Sequence, residues 1–294
     1  MTLEIITPVT HDLGDFKVNR SLPSRQRTMV GPFIFVDEFG PARLPPGAGM
    51  DVRPHPHINL ATVTYLFDGA IEHRDSIGSH KVIEPGAINL MTAGKGIVHS
   101  ERSPQALRPD GPSLYGMQTW LALPDGKEEI DPTFDHVPAN GLPVVDTSGA
   151  RARVLMGTLW GAAAATPCHS QTIYADIELD GGAVPIDADA DERAVMLVEG
   201  EASLDGNALD LFALYVLRPG HSARLASSGR ARLMLMGGGA FSTPRHVFWN
   251  FVSSSRDRIN EAKDDWKQGR FPVVPGDDTE FIPLPEQPKT VSYP

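Results

Sequence analysis

Two turn sequences recur at matched spacing in the two halves of this chain, and they limit its architecture more than any other feature. Phe67-Asp-Gly69 is answered by Val198-Glu-Gly200, and Glu84-Pro-Gly86 by Arg218-Pro-Gly220. The interval between the paired glycines is 17 residues in the first half and 20 in the second, a difference that a loop absorbs. Between the turns lie short runs rich in Val, Thr, Ile and Tyr, such as residues 60–67, 87–92, 194–198 and 209–217. These are strands by propensity and length. Asp68-Gly69 is a strong hairpin signal, with residues 70–75 expected as the returning strand. Many short antiparallel strands at close spacing make a sandwich or barrel, and a second pass of the same pattern implies a duplicated β-barrel unit. The 28 glycines and 26 prolines, scattered rather than clustered, suit the tight turns this requires.

The expected division is a first barrel over 1-135 and a second over 136-294, the latter carrying a helix at 255-268 and an extended, Pro-rich tail. Residues 31–39 read as a buried strand closed by Gly40-Pro41. For the helix, Ser254 with Asp257 has capping-box spacing. Ile259, Ala262 and Trp266 form one apolar stripe, and Gly269 stops it. Trp249 and Phe251, just upstream, are expected to be packing aromatics.

Composition narrows the function classes. The formal net charge of -11 and sequence pI of about 5.3 argue against direct binding to nucleic acid phosphates. The single cysteine, Cys168, permits no intramolecular disulfide and is expected to be a small buried or half-buried residue. The first twenty residues lack the basic start and apolar core of a signal peptide, and no stretch approaches the roughly 18 apolar residues of a membrane span. The expected location is cytoplasmic.

Chemistry concentrates in Arg53-Pro-His55-Pro-His57 and Gly96-Ile-Val-His99-Ser-Glu101. In an extended strand, residues i and i+2 share a face, and the prolines bias the first segment toward that conformation. Two such strands facing each other would bring three imidazoles and one carboxylate to a common point, a metal site with open positions for a ligand. Without cysteine it is not a thiolate-type structural zinc site. The duplication restricts the site to one barrel: the offsets that place His55, His57 and His99 fall in the second half on Ile186, Ala188 and Leu233. His73 and His80 sit in or beside the second hairpin without a spacing that demands metal. His11, His136, His169, His221 and His246 lie outside the ligand pattern. Asp187, Asp189, Asp191 and Glu192 read as a solvated acidic loop.

These motifs resemble those of pirins, a branch of the cupin superfamily. The resemblance rests on His55-Pro-His57, Thr62-Val-Thr-Tyr65, Glu72-His-Arg-Asp-Ser76, the block Met91–Glu101, and the tail segments Trp249–Ser255 and Trp266–Phe271. It covers nearly the whole chain. It implies an all-β double cupin, two antiparallel β-barrels or jelly rolls with a short C-terminal helix. It also implies one iron ion, Fe(2+), held at His55, His57, His99 and Glu101, with other divalent transition metals admitted by the same donors. Many pirins read His-Pro-His-Arg-Gly-Phe-Glu at the first motif; here the glycine is replaced by Asn59 and the glutamate by Ala61, which leaves a carboxylate near the metal in question.

Several pirins resemble flavonol (quercetin) 2,3-dioxygenases. The activity implied is therefore dioxygenase cleavage of a flavonol or similar enol, with loss of carbon monoxide. The small-molecule substrate and dioxygen are the partners, and Glu101 is the candidate base for the substrate hydroxyl. The alternative is a non-enzymatic iron-dependent redox sensor acting through a regulatory protein partner. A different cupin activity, such as isomerisation, is the third option. Neither membrane nor direct nucleic acid contact is expected.

Overall fold

The computed structural model describes residues 4–12 and 16–286, and the backbone of 291–292; the rest of the expected tail past Glu286 lies outside the described residues. Strands dominate, and Arg256–Lys267 (α1) is the one α-helix among the described residues. The chain folds as two compact units. One comprises Glu38–His136 with the described residues 11–12, 16–18 and 242–286; the other comprises Asn19–Asp37 and Val137–Phe241 with the first strand, Glu4–Ile6.

In the first of these units the strands that matter are β1 (Asp51–His57), β2 (Leu60–Gly69), β3 (Ile71–Asp75), β4 (His80–Ile83), β5 (Ile88–Thr92), β6 (Ile97–Arg102) and β7 (Ser113–Ala122). They form two layers. One sheet has the order β1-β6-β3-β4, and the other contains β5-β2-β7 as neighbours. Residues 68–69 are therefore not a hairpin, contrary to the sequence expectation: β2 pairs with β5 and β7, whereas β3 pairs with β4 and β6. Asp68-Gly69 is a corner where the chain leaves one sheet for the other. Gly69 has φ +86°, and a Cβ there would lie 2.0 Å from the Ser113 carbonyl oxygen, so the corner admits only glycine. Its counterpart Gly200 has φ +79° with the Arg230 carbonyl 2.2 Å from the same imagined atom. The two halves thus share a steric requirement as well as a spacing.

The second unit is a nine-stranded antiparallel sheet with Glu192–Gly200, Ala223–Gly238, Thr172–Ile186 and Ala150–Met156 as consecutive neighbours. Its interior is a continuous apolar cluster including Val154, Ile177, Ile186, Val195, Tyr215, Leu233 and Leu235. Burial of such side chains is worth about 1.5–3 kcal/mol each, which accounts for an interior held together by apolar packing.

Several boundaries differ from the sequence reading. The strand expected over 31–39 runs Phe33–Arg43, straight through Gly40-Pro41. The helix is capped by Ser255, whose side chain accepts from Arg258 N–H, not by Ser254. Cys168 is exposed, in the irregular stretch before Thr172–Ile186. Glu192 is no solvated loop residue: it begins a strand and accepts from Gly31 N–H and Arg27.

The helix and tail also fall outside the second barrel, in the unit built on Glu38–His136. The cause is an apolar cluster of Ile58, Phe248, Phe251, Ile259 and Ala262, with Trp249, Trp266 and Phe271 packed around it. Fully buried Arg245 adds polar anchorage, donating to the Leu123 carbonyl and to Asp125. Trp249 and Phe251 are packing aromatics, in contact with each other and with Trp266 and Phe271.

Candidate metal centre

β1 lies at the edge of its sheet, which is where a strand can carry two prolines without breaking the hydrogen-bond ladder. β6 pairs with it antiparallel, setting Ile97 opposite His57 and His99 opposite His55; the register then shifts between His99 and Glu101. On its other side β6 pairs with β3, setting His99 opposite Asp75 and Glu101 opposite His73. Residues opposite each other in a ladder share a face. One face of this sheet therefore carries His55, His57, His73, Asp75, His99 and Glu101. The two sequence clusters meet as neighbours in one sheet, not as strands facing across a gap.

His55, His57 and His99 each offer a ring nitrogen within 4.8 Å of the others, and this is the grouping of potential ligands found among the described residues. The ring orientations are set from behind. Nδ1 of His55 faces the Arg53 carbonyl at 2.8 Å, Nδ1 of His57 faces the Asn250 carbonyl at 3.1 Å, and Nδ1 of His99 faces Nδ1 of His73 at 3.5 Å. A carbonyl only accepts, so in the first two rings the proton is on Nδ1 and Nε2 is bare. Burial holds all three rings neutral: His55 is pushed down to about 4, and His57 and His99 lie well below the usual histidine range. Nε2 of His57 and Nε2 of His99 are 3.1 Å apart. Converging imidazole nitrogens held unprotonated are a donor set for a divalent transition ion, so the residues present fit a metal.

Glu101 is buried on the same face but falls outside the three-histidine grouping. Its Oε1 accepts from the Gln118 amide at 3.3 Å, and the Gln118 carbonyl in turn accepts from the Thr64 hydroxyl at 2.7 Å. Burial raises the Glu101 carboxyl above its ordinary value, with the Gln118 bond acting in the opposite sense. Trp120, two residues along the same strand, meets the His57 ring edge-on at 5.0 Å.

Ala61 bears on the missing glutamate. Thr62 pairs with Trp120 and Thr64 with Gln118, so the side of β2 that faces the centre carries Thr62 and Thr64. Ala61 pairs with Leu121 and Thr92 on the opposite side. A glutamate at this position would leave the histidines untouched. Asn59 has φ +56°, a left-handed conformation that Asn adopts more readily than most residues, and its side-chain amide donates to the Glu128 carbonyl and to Glu129. It thus adopts the backbone conformation that glycine favours.

His73 and Asp75 were not expected at the centre. Both are almost fully buried, with Nε2 of His73 3.0 Å from Oδ2 of Asp75 and the ring stacked on Phe134 at 4.5 Å. The signal was available: His73 and Asp75 have the same i, i+2 spacing that singled out His55 and His57. His80 is exposed and pairs with Glu72. In the second unit, Ile186 and Leu233 belong to the apolar interior and Ala188 is exposed. Two surface cavities, of about 640 and 270 Å³, are lined by residues of that unit and touch none of the four candidate ligands.

A duplicated antiparallel barrel with a buried imidazole cluster in one copy defines a double cupin. The pirin family model matches residues 15–121, and the model of the pirin C-terminal cupin domain matches 174–272. A pirin-like protein of Caulobacter vibrioides is 47% identical over 280 residues, covering 94% of this chain and 96% of the relative. The crystal structure of a quercetin 2,3-dioxygenase from Acinetobacter baumannii superposes with a TM-score of 0.91 at 33% identity, covering 98% of this chain and 97% of that one. A second quercetin 2,3-dioxygenase structure from the same organism gives 0.84 at 25% identity, covering 92% and 97%. This chain belongs to the pirin family. Among the described residues no helix is long and apolar enough to cross a membrane.

Proposed function

We propose that this protein is a mononuclear iron dioxygenase that opens a flavonol, or a similar enol, in a quercetin 2,3-dioxygenase-type reaction. The observation that carries this reading is the convergence of His55, His57 and His99 as neutral rings, in a chain whose structural relatives include quercetin 2,3-dioxygenases. The three histidines would hold the ion, with Glu101 beside them. Bound Fe(II) supplies Lewis acidity toward the enol oxygen and redox chemistry toward dioxygen.

The chain's own residues do the remaining work. Glu101 takes the proton of the substrate hydroxyl at one of its carboxylate oxygens. Its raised pKa, caused by burial, moves it in the direction a base near neutral pH requires. Gln118 holds Oε1 of that carboxylate, so Oε2 is the oxygen that faces substrate. The Trp120 ring beside His57 offers an aromatic surface to a planar flavonol. In this reading metal chemistry is confined to the barrel of Glu38–His136, the second barrel is a metal-free scaffold, and the protein works in the cytoplasm.

The test combines metal analysis of protein purified without added metal with oxygen uptake on quercetin and a panel of enols. Iron in the wild type, with turnover that His55→Ala abolishes, supports the reading. Absence of turnover with Fe(II), with wild type and His55→Ala alike, ends it.

The alternative, an iron-dependent redox sensor acting through a protein partner, is favoured by the burial of the donors. His57 and His99 are each 1% exposed, which suits an ion that changes oxidation state without exchanging ligands. It requires partner affinity that differs between the Fe(II) and Fe(III) forms, without turnover.

A further inference from the structure

We infer that the C-terminal tail over residues 274–282 is a positioning element of the metal centre, acting on His55 through a bulge in β1; this rests on the metal-centre reading above. Antiparallel pairing sets Ile97, Val98 and His99 opposite His57, Pro56 and His55, and then Glu101 opposite Val52 and Arg102 opposite Asp51. Ser100 alone therefore stands against both Arg53 and Pro54. An extra residue on one strand is a β-bulge, and bulges re-aim the side chains beside them. Here the bulge returns Val52 to the face of the histidines, which plain alternation would deny it. It also brings the Arg53 carbonyl to 2.8 Å from Nδ1 of His55. The orientation of the His55 ring thus depends on the bulge keeping its shape.

The sheet alone gives this bulge little support. β1 is an edge strand, and Pro54 has no N–H to add to a ladder. Pro54 is buried, so its carbonyl has to find a partner within the protein. The tail supplies one: Ile282 N–H donates to the Pro54 carbonyl at 2.8 Å. The Ile282 carbonyl in turn accepts from the Trp266 indole N–H at 3.0 Å, which ties the bulge to α1. Phe281 meets the Trp266 ring edge-on at 5.6 Å.

A second anchor lies at the end of β6. Arg102 donates to both carboxylate oxygens of Asp277, at 2.7 and 2.8 Å, to Glu280 at 2.9 Å and to Asp51 at 3.0 Å. Arg108 adds two bonds to Asp51. Arg102 and Asp51 are the ladder partners next beyond the bulge, so one guanidinium joins both imidazole-bearing strands to the tail. A fork on a carboxylate fixes direction as well as distance. The Asp277 side chain is only 10% exposed, so solvent screens this pair little. Alternation puts Arg102 and Asp51 on the face away from His99 and Glu101. The tail grips the ligand sheet from its edge and from behind.

Two variants of the full chain loosen this grip in different ways. Ile282→Pro deletes the N–H that Pro54 receives. The pair Asp277→Asn with Glu280→Gln keeps the size of both side chains and removes their charge. Circular dichroism checks that each folds, and the isosteric pair carries the test if Ile282→Pro does not. Zn(II) affinity, by chelator competition, should fall about 10–100-fold in both. In a His55→Ala background the same changes should cost less than about twofold, because the residue they act through is gone. Wild-type affinity in the variants, or an equal loss with and without His55, would overturn the assignment. Wild type that binds no zinc would sink the metal-centre reading. The tail's role then rests on the ring signals of metal-free protein by 13C–1H correlation NMR: a shift in both variants that is larger at His55 than at His57 upholds it, and unmoved His55 signals overturn it.

Discussion

The Gln118 amide reaches Oε1 of Glu101 at 3.3 Å, and its direction is set by the Thr64 hydroxyl 2.7 Å from its carbonyl. This bond favours the charged carboxylate against a burial that disfavours it. Gln118→Leu removes a hydrogen bond to the charged carboxylate, so the Glu101 carboxyl should rise further above its ordinary value. A base works ionised, so activity grows as pH climbs through the Glu101 pKa. The acidic limb of kcat/KM should therefore move to higher pH in this variant, with the plateau less affected. A limb that stays in place would remove Glu101 from the role of base.

Metal retention should separate the histidines from Glu101. His57→Ala takes away one of three converging nitrogens, and the protein as purified should lose most of its metal. Glu101→Gln leaves that grouping intact and should keep metal while oxygen uptake on the enol falls about 10²–10⁴-fold. Metal content by mass spectrometry alongside oxygen consumption makes the comparison; equal metal loss in both variants would make Glu101 a ligand of equal weight.

Acid should weaken the metal-free fold over a defined window. The unfolded chain takes up protons on its histidines near pH 6.5, whereas folded His55 resists until about 4, and His57 and His99 resist further. Stability from these rings is fully present above about pH 6.5 and is lost as pH falls toward 4. His55 alone accounts for about 3 kcal/mol across that interval. Urea unfolding of the metal-free protein at stepped pH should show the decline, with a shallower slope in His55→Ala. Bound metal should dissociate over the same acid range, since its ligands must be neutral.

Leu233 occupies the position in the second barrel that corresponds to His99, inside an apolar cluster. Leu233→Ala should cost about 2–5 kcal/mol of stability and leave the metal content per chain unchanged. Thermal unfolding and metal analysis of one preparation check both halves of the statement.

Much of this was legible in the primary structure because it depends on period-two alternation. His55 with His57, and His99 with Glu101, needed only extended chain to share a face, and the duplicated Gly69 and Gly200 corners disclosed two similar units. Sheet membership was less accessible. Asp68-Gly69 has hairpin chemistry, yet the chain turns out of its sheet there because β3 finds β4 and β6 as partners, a choice made by long-range packing. The same cause moved the helix. Its apolar stripe marked a buried face without saying that Ile58 and Phe251 would cover it. His73 and Asp75 were visible as a spaced pair, but their place beside His99 depended on the pairing of β3 with β6.

β1, which carries two of the three imidazoles, is an edge strand. An edge is ordinarily a template on which a second chain can add itself. Here Pro54 and Pro56 have no N–H to offer, and the Pro54 carbonyl is already taken by Ile282 N–H from the tail at 2.8 Å. The ligand strand can thus stay at the margin of its sheet without seeding polymer growth.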